Sequence, residues 1–225
     1  NNVHRIVYLI ETHIDKEMNV VEIVRSIFPA KTKDFVTAVD EHSIILVKEL
    51  KEKETADEID RIAKTIEETL NAETNSHVYI SSGTIVSDLK DVSRSYKEAK
   101  MALEVGKIFE NEKYIVNYEK LGIGRLIYQL PLPLCRMFIK EVLHGLTMDD
   151  FDDETLATVN KFFENNLNVS ETSRQLYIHR NTLVYRLDKL QKMTGLDLRN
   201  FDDAIIFKIT LMVSKYMMYM DKMTY

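Results

Sequence analysis

The first half of the chain alternates short β-rich runs with longer amphipathic stretches. Runs of apolar and β-branched residues predict strands at 4–11, 34–40, 43–50, 77–83 and 114–118. Apolar residues spaced three and four apart predict helices at 19–28, 55–70 and 87–106. For the last helix we expect Ser87 as N-cap, Leu89 on the buried face and Gly106 as the C-terminal signal. The order β-α-β-β-α-β-α, with a short final strand, predicts an α+β domain of ferredoxin-like arrangement.

The strand pattern stops after Tyr118, and the rest of the chain is predicted to be all-α. Helices are expected at about 119–130, 132–146, 153–166, 170–177, 180–194 and 202–219. Asp152 or Asp153 is expected to cap the third of these helices, and Ser170 the fourth. Three parts follow: an α+β domain at 1–118, a helical connector at 119–150 and an all-α domain at 151–225.

The chain is acidic overall but basic in one segment. Its 225 residues carry a formal net charge of −6, which argues against a protein that coats nucleic acid indiscriminately. Residues 170–195, however, include five basic and two acidic side chains. This local excess is typical of a specific anion binder, and a solvated helix face is the alternative.

Several classes of site are not expected from the residue types present. A single cysteine, Cys135, allows no internal disulfide and no cysteine cluster for zinc, which suits a reducing cytoplasm. The histidines lack metal-ligand spacing, and the Gly122–Gly124 segment lacks the strand and third glycine of a dinucleotide fingerprint, so we expect neither metal nor cofactor. No apolar run reaches the roughly 18 residues of a membrane span.

Residues 170–194 predict a helix-turn-helix unit. The helix at 170–177 is too short to be stable alone and must pack against the next one. In that next helix Leu183, Leu187 and Leu190 share one face, while the remaining surface is rich in hydrogen-bond donors. We expect these donors to be unpaired within the protein, so that base edges of double-stranded DNA can satisfy them.

The first turns of the second helix are expected to read bases in the major groove, and the flanking cations to contact phosphate. The predicted base-facing residues are Arg180, Asn181, Thr182, Tyr185 and Arg186. The predicted phosphate-facing residues are Arg174, His179, Lys189 and Lys192. A single unit of this kind buries little surface, so a homodimer reading two half-sites is expected.

The segment that begins NVSETSRQLYIHRNTLVYRL closely resembles the C-terminal helix-turn-helix domain of PucR/CdaR-type bacterial transcription regulators, over about 155–219. IHRNTLVYRL also resembles the recognition segment of Fis-type DNA-binding domains. Two positions depart from the pattern: Ser173 replaces a small apolar residue, and Tyr177 stands at a turn position that often holds glycine. The resemblance implies a cytoplasmic transcription regulator, with a sensory domain missing before Asn1 through which a small-molecule effector could act.

The first half is similar to the degenerate GGDEF-like domain of the same regulators. The stretch from Ile80 to Gly106 carries this resemblance, and AVDEHSIIL aligns with the GGDEF hairpin of diguanylate cyclases. Asp40 and Glu41 match its acids, but Ala38 and Val39 replace its two glycines, where a side chain would obstruct nucleotide phosphate. We therefore expect no enzyme activity, and interpret the two acids as turn residues. A residual nucleotide cyclase with an accessory helical domain, or a nucleotide- or metabolite-binding sensor, are the alternatives.

Overall fold

The computed structural model describes residues 3–12, 19–28, 33–51, 56–110 and 113–223. The chain forms two compact units that divide between Tyr128 and Gln129. This division falls inside the predicted connector at 119–150. Each part of that connector therefore belongs to one of the two units.

The first unit is a mixed sheet with helices on both faces. Its described strands are β1 (His4–Glu11), β2 (Phe35–Ala38), β3 (Ser43–Leu50), β4 (Tyr79–Ser82) and β5 (Ile115–Asn117). Its described helices are α1 (Val20–Ile27), α2 (Ala56–Thr74), α3 (Val92–Phe109) and α4 (Ile123–Ile127). The helix start predicted at Thr55 lies outside the described residues. The strand order is β2-β3-β1-β4-β5, antiparallel except for the parallel β4–β5 pair, which confirms the ferredoxin-like prediction.

The central strand β1 explains why the sheet needs helices on both faces. Neighbouring residues of a strand point to opposite faces. Ile6, Tyr8 and Ile10 join the core formed with α1 and α2, whereas Leu9 packs with Ala99 and Leu103 of α3. Because both faces are covered, β1 has an unbroken apolar run instead of an alternating pattern.

The start of α3 differs from the prediction. A single 3₁₀ turn at Leu89–Asp91 precedes the helix, which begins at Val92. Ser87 is therefore not its N-cap, and the Ser87 hydroxyl instead hydrogen-bonds His4 Nδ1 at 3.1 Å. Leu89, predicted on the buried face, is 70% exposed because it lies in this turn and not in the helix.

Gly106 does not end α3, which continues to Phe109. A Cβ at position 106 would lie 2.6 Å from Val116 Cγ2, closer than atoms can approach without a shift. The glycine is therefore explained by the close packing of α3 on β5, and the prediction that it is a helix C-terminal signal is wrong.

The second unit is all-α, as predicted. Its described helices are α5 (Leu132–Val142), α6 (Asp153–Glu164), α7 (Val169–Gln175), α8 (Arg180–Thr194) and α9 (Phe201–Met223). The fully buried side chains of its main core include Phe162, Leu183, Leu187, Leu190 and Phe207. This core holds α6, α8 and α9 together and leaves the opposite face of α8 in solvent. Among the described helices, none combines the length and apolar character that crossing a membrane requires.

Candidate nucleic-acid interface

Helices α7 and α8 form the predicted helix-turn-helix. The N-cap of α7 is Asn168, whose Oδ1 accepts from Glu171 N–H at 3.0 Å. The predicted cap, Ser170, lies within the helix, and its hydroxyl accepts a 2.9 Å hydrogen bond from Arg180 Nη1. The predicted cap position is thus wrong by two residues. Asn and Ser are both favourable cap residues, so residue type did not distinguish the two positions. The Ser170 hydroxyl instead links α7 to the start of α8.

Tyr177 adopts a left-handed backbone conformation in the turn between the two helices, with φ of 54°. Its N–H donates to Arg174 O at 3.2 Å, and the N–H of Ile178 donates to Ser173 O at 3.0 Å. A non-glycine residue in this region costs about 1 kcal/mol or more. The strain expected of a tyrosine at this glycine-type position is therefore present.

Ser173, the second departure from the family pattern, is accommodated by a local hydrogen bond. The residue is 7% exposed, and its Oγ donates to Ser170 O at 2.9 Å. A buried hydroxyl is costly only when it lacks a partner. Serine can thus replace a small apolar residue here without an unsatisfied polar group.

His179 is the N-cap of α8. Its Nδ1 accepts from the backbone N–H of Asn181 at 3.2 Å, and its carbonyl accepts from the N–H of Thr182 at 2.9 Å. Since Nδ1 acts as acceptor, the neutral ring carries its proton on Nε2. The helix ends at Gly195, whose φ of 78° is the left-handed conformation of a helix C-terminus.

The predicted site residues fall into two groups by exposure. Those exposed to solvent are Arg174, His179, Arg180, Asn181, Thr182, Tyr185, Lys189 and Lys192. Arg186 differs, because its side chain is 17% exposed. The Arg186 side chain is therefore largely buried, unlike those of the other predicted site residues.

The guanidinium of Arg186 is engaged within the protein. Its Nη2 forms an ion pair with the carboxylate of Glu154 in the first turn of α6, and its Nη1 donates to Thr158 Oγ1 at 2.9 Å. The expectation that the α8 donors are unpaired is therefore wrong for Arg186. The arginine instead connects α8 to α6.

Lys189 makes a second, more exposed connection to α6. Its Nζ lies 3.3 Å from Asp152 Oδ2, and both side chains are about half exposed. Asp152 is the N-cap of α6, as predicted, and accepts from Thr155 N–H at 2.7 Å. The hydrogen bonds from Thr155, together with Lys189, lower the pKa of the Asp152 carboxyl from 3.8 to about 2. This carboxylate is thus stabilised mainly by the helix it caps.

Two further cations have local partners on α7. Arg174 pairs with Glu171 one turn earlier, and the hydrogen bonds from Arg174 and Gln175 lower the pKa of the Glu171 carboxyl. Arg180 donates to the neutral Ser170 hydroxyl. An arginine has five N–H donors, so Arg174 and Arg180 each keep N–H groups that are available to an external ligand.

Asn181, Thr182, Tyr185 and Lys192 make no side-chain hydrogen bond or ion pair with any part of the chain that the structure describes. The first three lie in the first half of α8, on its exposed side. Unpaired amide and hydroxyl groups on one helix face are available to an external ligand that offers matching acceptors and donors.

Arg199 is a partner of α8 that was not predicted from the sequence. The guanidinium of Arg199, from the loop before α9, lies 2.9 Å from Asp188 Oδ1 and also pairs with Asp197. This pairing lowers the pKa of Asp197, chiefly through the hydrogen bond from Arg199. No helical spacing relates Arg199 to Asp188, so the sequence has no local signal for the contact.

The β2–β3 hairpin of the first unit positions Asp40 as a turn residue. Asp40 Oδ1 accepts from His42 N–H at 2.8 Å, and the N–H of Val39 donates to Ser43 O at 2.8 Å. The hydrogen bond from His42 lowers the pKa of the Asp40 carboxyl. The interpretation of Asp40 as a turn residue is therefore confirmed.

Two family models match the two halves of the chain. The GGDEF-like domain matches residues 2–105, and the PucR C-terminal helix-turn-helix domain matches residues 155–213. The second match contains α7, the turn and α8.

Three characterised proteins illustrate what the chain is similar to. It is 28% identical to the purine catabolism regulatory protein of Bacillus subtilis over 58% of this chain and 25% of that protein. It is 32% identical to the carbohydrate diacid regulator of Escherichia coli over 60% of this chain and 35% of that protein. It is 28% identical to the proline-responsive transcriptional activator PutR of Bacillus subtilis over 61% of this chain and 34% of that protein.

The alignments to these relatives span 25% to 35% of their length. Among solved structures, a regulator of polyketide synthase expression from Bifidobacterium adolescentis aligns over 95% of this chain and 80% of its own, at 15% identity and a TM-score of 0.38. A TM-score this low does not establish a shared fold. By its two domain matches, the chain contains a GGDEF-like domain followed by a PucR-type helix-turn-helix domain, and its relatives are PucR/CdaR-type regulators.

Proposed function

We propose that this chain is a DNA-binding transcription regulator that reads double-stranded DNA through α8. The observation that carries the proposal is the exposed face of α8, where Asn181, Thr182 and Tyr185 have no partner within the described residues. The major groove, about 12 Å wide, admits one helix and presents donors and acceptors in a base-specific pattern. Asparagine can bind adenine through two hydrogen bonds, and threonine can contact either base edges or the thymine methyl group.

The cations around this face have two roles in the proposal. Arg180 begins α8 and uses one donor on Ser170, so its other donors are assigned to a guanine edge. The flanking residues Arg174, His179, Lys189 and Lys192 are assigned to phosphate, which fixes the register of the helix on the duplex. Arg186 is not assigned to a base, because Glu154 and Thr158 already bind its guanidinium. It is a positioning residue that holds α8 on α6.

The proposal extends to assembly and control. A homodimer would present two copies of α8 to half-sites about 34 Å apart, and would bury enough surface for specific binding. A small-molecule effector would act through a region upstream of this chain. The protein would work in the cytoplasm, where its DNA lies.

The first unit is proposed to transmit signals or to oligomerise without catalysis. Ala38 and Val39 occupy the positions that resemble cyclase glycines, and Asp40 uses a carboxylate oxygen on the backbone of His42. Side chains at those positions would obstruct a nucleotide phosphate. Incubation with GTP and Mg²⁺ tests this part, and formation of a cyclic dinucleotide would contradict it.

The DNA-binding proposal is tested by selecting duplexes from a random library with the chain, followed by affinity measurements. Asn181→Ala should cost about 1–3 kcal/mol of binding to the selected duplex and much less on an unselected one. Asn160→Ala is the matched control, because Asn160 is an exposed asparagine of α6. Failure of the wild-type chain to enrich any sequence, or equal affinity of both variants, would contradict the proposal.

A further inference from the structure

Tyr177 combines two unfavourable features that nothing in the fold of the described residues offsets. Its φ of 54° is a conformation that glycine adopts without strain, and the residue is 96% exposed. A buried aromatic side chain would gain stability from the apolar area it removes from water. At this exposure Tyr177 gains almost none, so neither its backbone nor its packing explains why a tyrosine is present.

The backbone around Tyr177 is nevertheless well fixed. Hydrogen bonds from the N–H groups of Tyr177 and Ile178 close the turn onto the last residues of α7, with lengths of 3.2 Å and 3.0 Å. Two residues later, His179 caps α8. The ring is therefore attached to a hydrogen-bonded turn just before α8, two and three positions ahead of the exposed residues His179 and Arg180.

A tyrosine in this position is suited to binding the sugar-phosphate backbone of DNA. Its hydroxyl can donate to a phosphate oxygen, a contact that tyrosine makes in protein–DNA interfaces. The side chain has only two rotatable torsions, so fixing it on binding costs little conformational entropy. His179, two residues further along, is also assigned to phosphate and would donate its Nε2–H to the same backbone.

We propose that Tyr177 is a DNA-contacting residue that binds the sugar-phosphate backbone beside the groove occupied by α8. The inference rests on the proposed function and adds a residue that the sequence pattern marks only as a departure. The contact would strengthen binding to every duplex by the same factor, because the backbone is the same in every sequence. As the phenol is uncharged, the contact would release no counterion.

The test compares Tyr177→Gly and Tyr177→Phe with wild type in the full chain. The glycine variant removes the side chain and relieves the left-handed strain, so its Tm should rise. Its affinity should nevertheless fall by about threefold to tenfold on both selected and unselected duplexes, with the salt dependence unchanged. Tyr177→Phe keeps the strain and the ring, so it should keep the wild-type Tm and lose the part of the affinity due to the hydroxyl.

Other outcomes separate this inference from the proposed function. Unchanged affinity of Tyr177→Gly, with Asn181→Ala still defective, would overturn the role of Tyr177 and leave DNA reading by α8 intact. Wild-type protein that binds no duplex would overturn both. A loss of affinity confined to the selected duplex would show base reading, and a smaller species by sedimentation with unchanged DNA affinity would show contact with a second copy. Either result would overturn the backbone contact.

Discussion

Arg186 of α8 is bound to Glu154 of α6 by an ion pair and to Thr158, one turn further along α6, by a 2.9 Å hydrogen bond. The arginine side chain is 17% exposed, whereas that of Glu154 is 73% exposed. Exposed ion pairs contribute little to stability, while a hydrogen bond to a largely buried charge contributes more. Arg186 therefore orients α8 through its less exposed bond to Thr158.

Arg186→Ala should lower the free energy of unfolding by about 1–2 kcal/mol, since it removes a packed side chain and the hydrogen bond that the buried Thr158 hydroxyl accepts. That hydroxyl would keep only its hydrogen bond to Glu154 O. DNA affinity should fall most on the selected duplex, with the loss spread over all base pairs that α8 reads, because the whole helix is less well positioned. Denaturant unfolding and affinity measurements on selected and unselected duplexes check both effects. If the variant is as stable as wild type and loses discrimination at a single base pair, Arg186 is a base reader and its structural role is refuted.

His179→Ala should destabilise the second unit by about 1 kcal/mol, because Asn181 N–H loses its cap acceptor. His179→Ser restores a cap oxygen and should recover the stability, but it lacks the Nε2–H donor of histidine. Thermal unfolding measures the cap, and DNA affinity at fixed salt measures the outward-facing nitrogen. Equal DNA affinity of the serine variant and wild type would remove His179 from the phosphate-contacting group.

Acid should weaken α6 through the carboxyl group of Asp152. Its pKa is about 2 in the folded state against an ordinary value of 3.8, so the folded protein binds this proton less tightly than the unfolded chain. The stabilisation is therefore complete above the ordinary value and is lost as the pH falls from about 4 to about 2. The Tm difference between wild type and Asp152→Asn should shrink over this interval. A difference that stays constant down to pH 2 would contradict the assignment.

Lys192→Ala should reduce the slope of log affinity against log salt by about 0.9, the effect of one lost phosphate contact on duplex DNA. Its effect should be the same on every duplex, because phosphate contacts carry no sequence information. Lys215→Ala on α9 is the matched control, since Lys215 is also an exposed lysine of the second unit. Equal salt slopes for the two variants would place Lys192 outside the interface.

The elements with a strong local period could be predicted closely from the sequence. The bounds of α8, 180–194, are those predicted from the spacing of its apolar residues. The strand order of the first unit followed from the crossover rules applied to its alternating pattern. Where two residues suit the same local role, as with Asn168 and Ser170 at the start of α7, the sequence alone could not choose between them.

The contacts of the site were harder to predict, because they join residues far apart in the chain. The sequence shows that Arg186 is a donor on a polar face, but not that α6 passes close enough for Glu154 and Thr158 to bind it. Exposure of Asn181 and Tyr185 could be predicted from their positions opposite the leucines. Long-range pairing requires the packing angle between helices, which periodicity does not specify.

The pairing of Asp188 with Arg199 affects how α8 could approach a polyanion. Without an ion-pair partner, the Asp188 carboxylate would repel phosphate groups within about 10 Å, the screening distance at 0.1 M salt. With a guanidinium held against it, that repulsion is cancelled locally before any duplex arrives. Changing Arg199 to a neutral residue would thus slow the encounter with DNA, although Arg199 itself lies outside the helix-turn-helix.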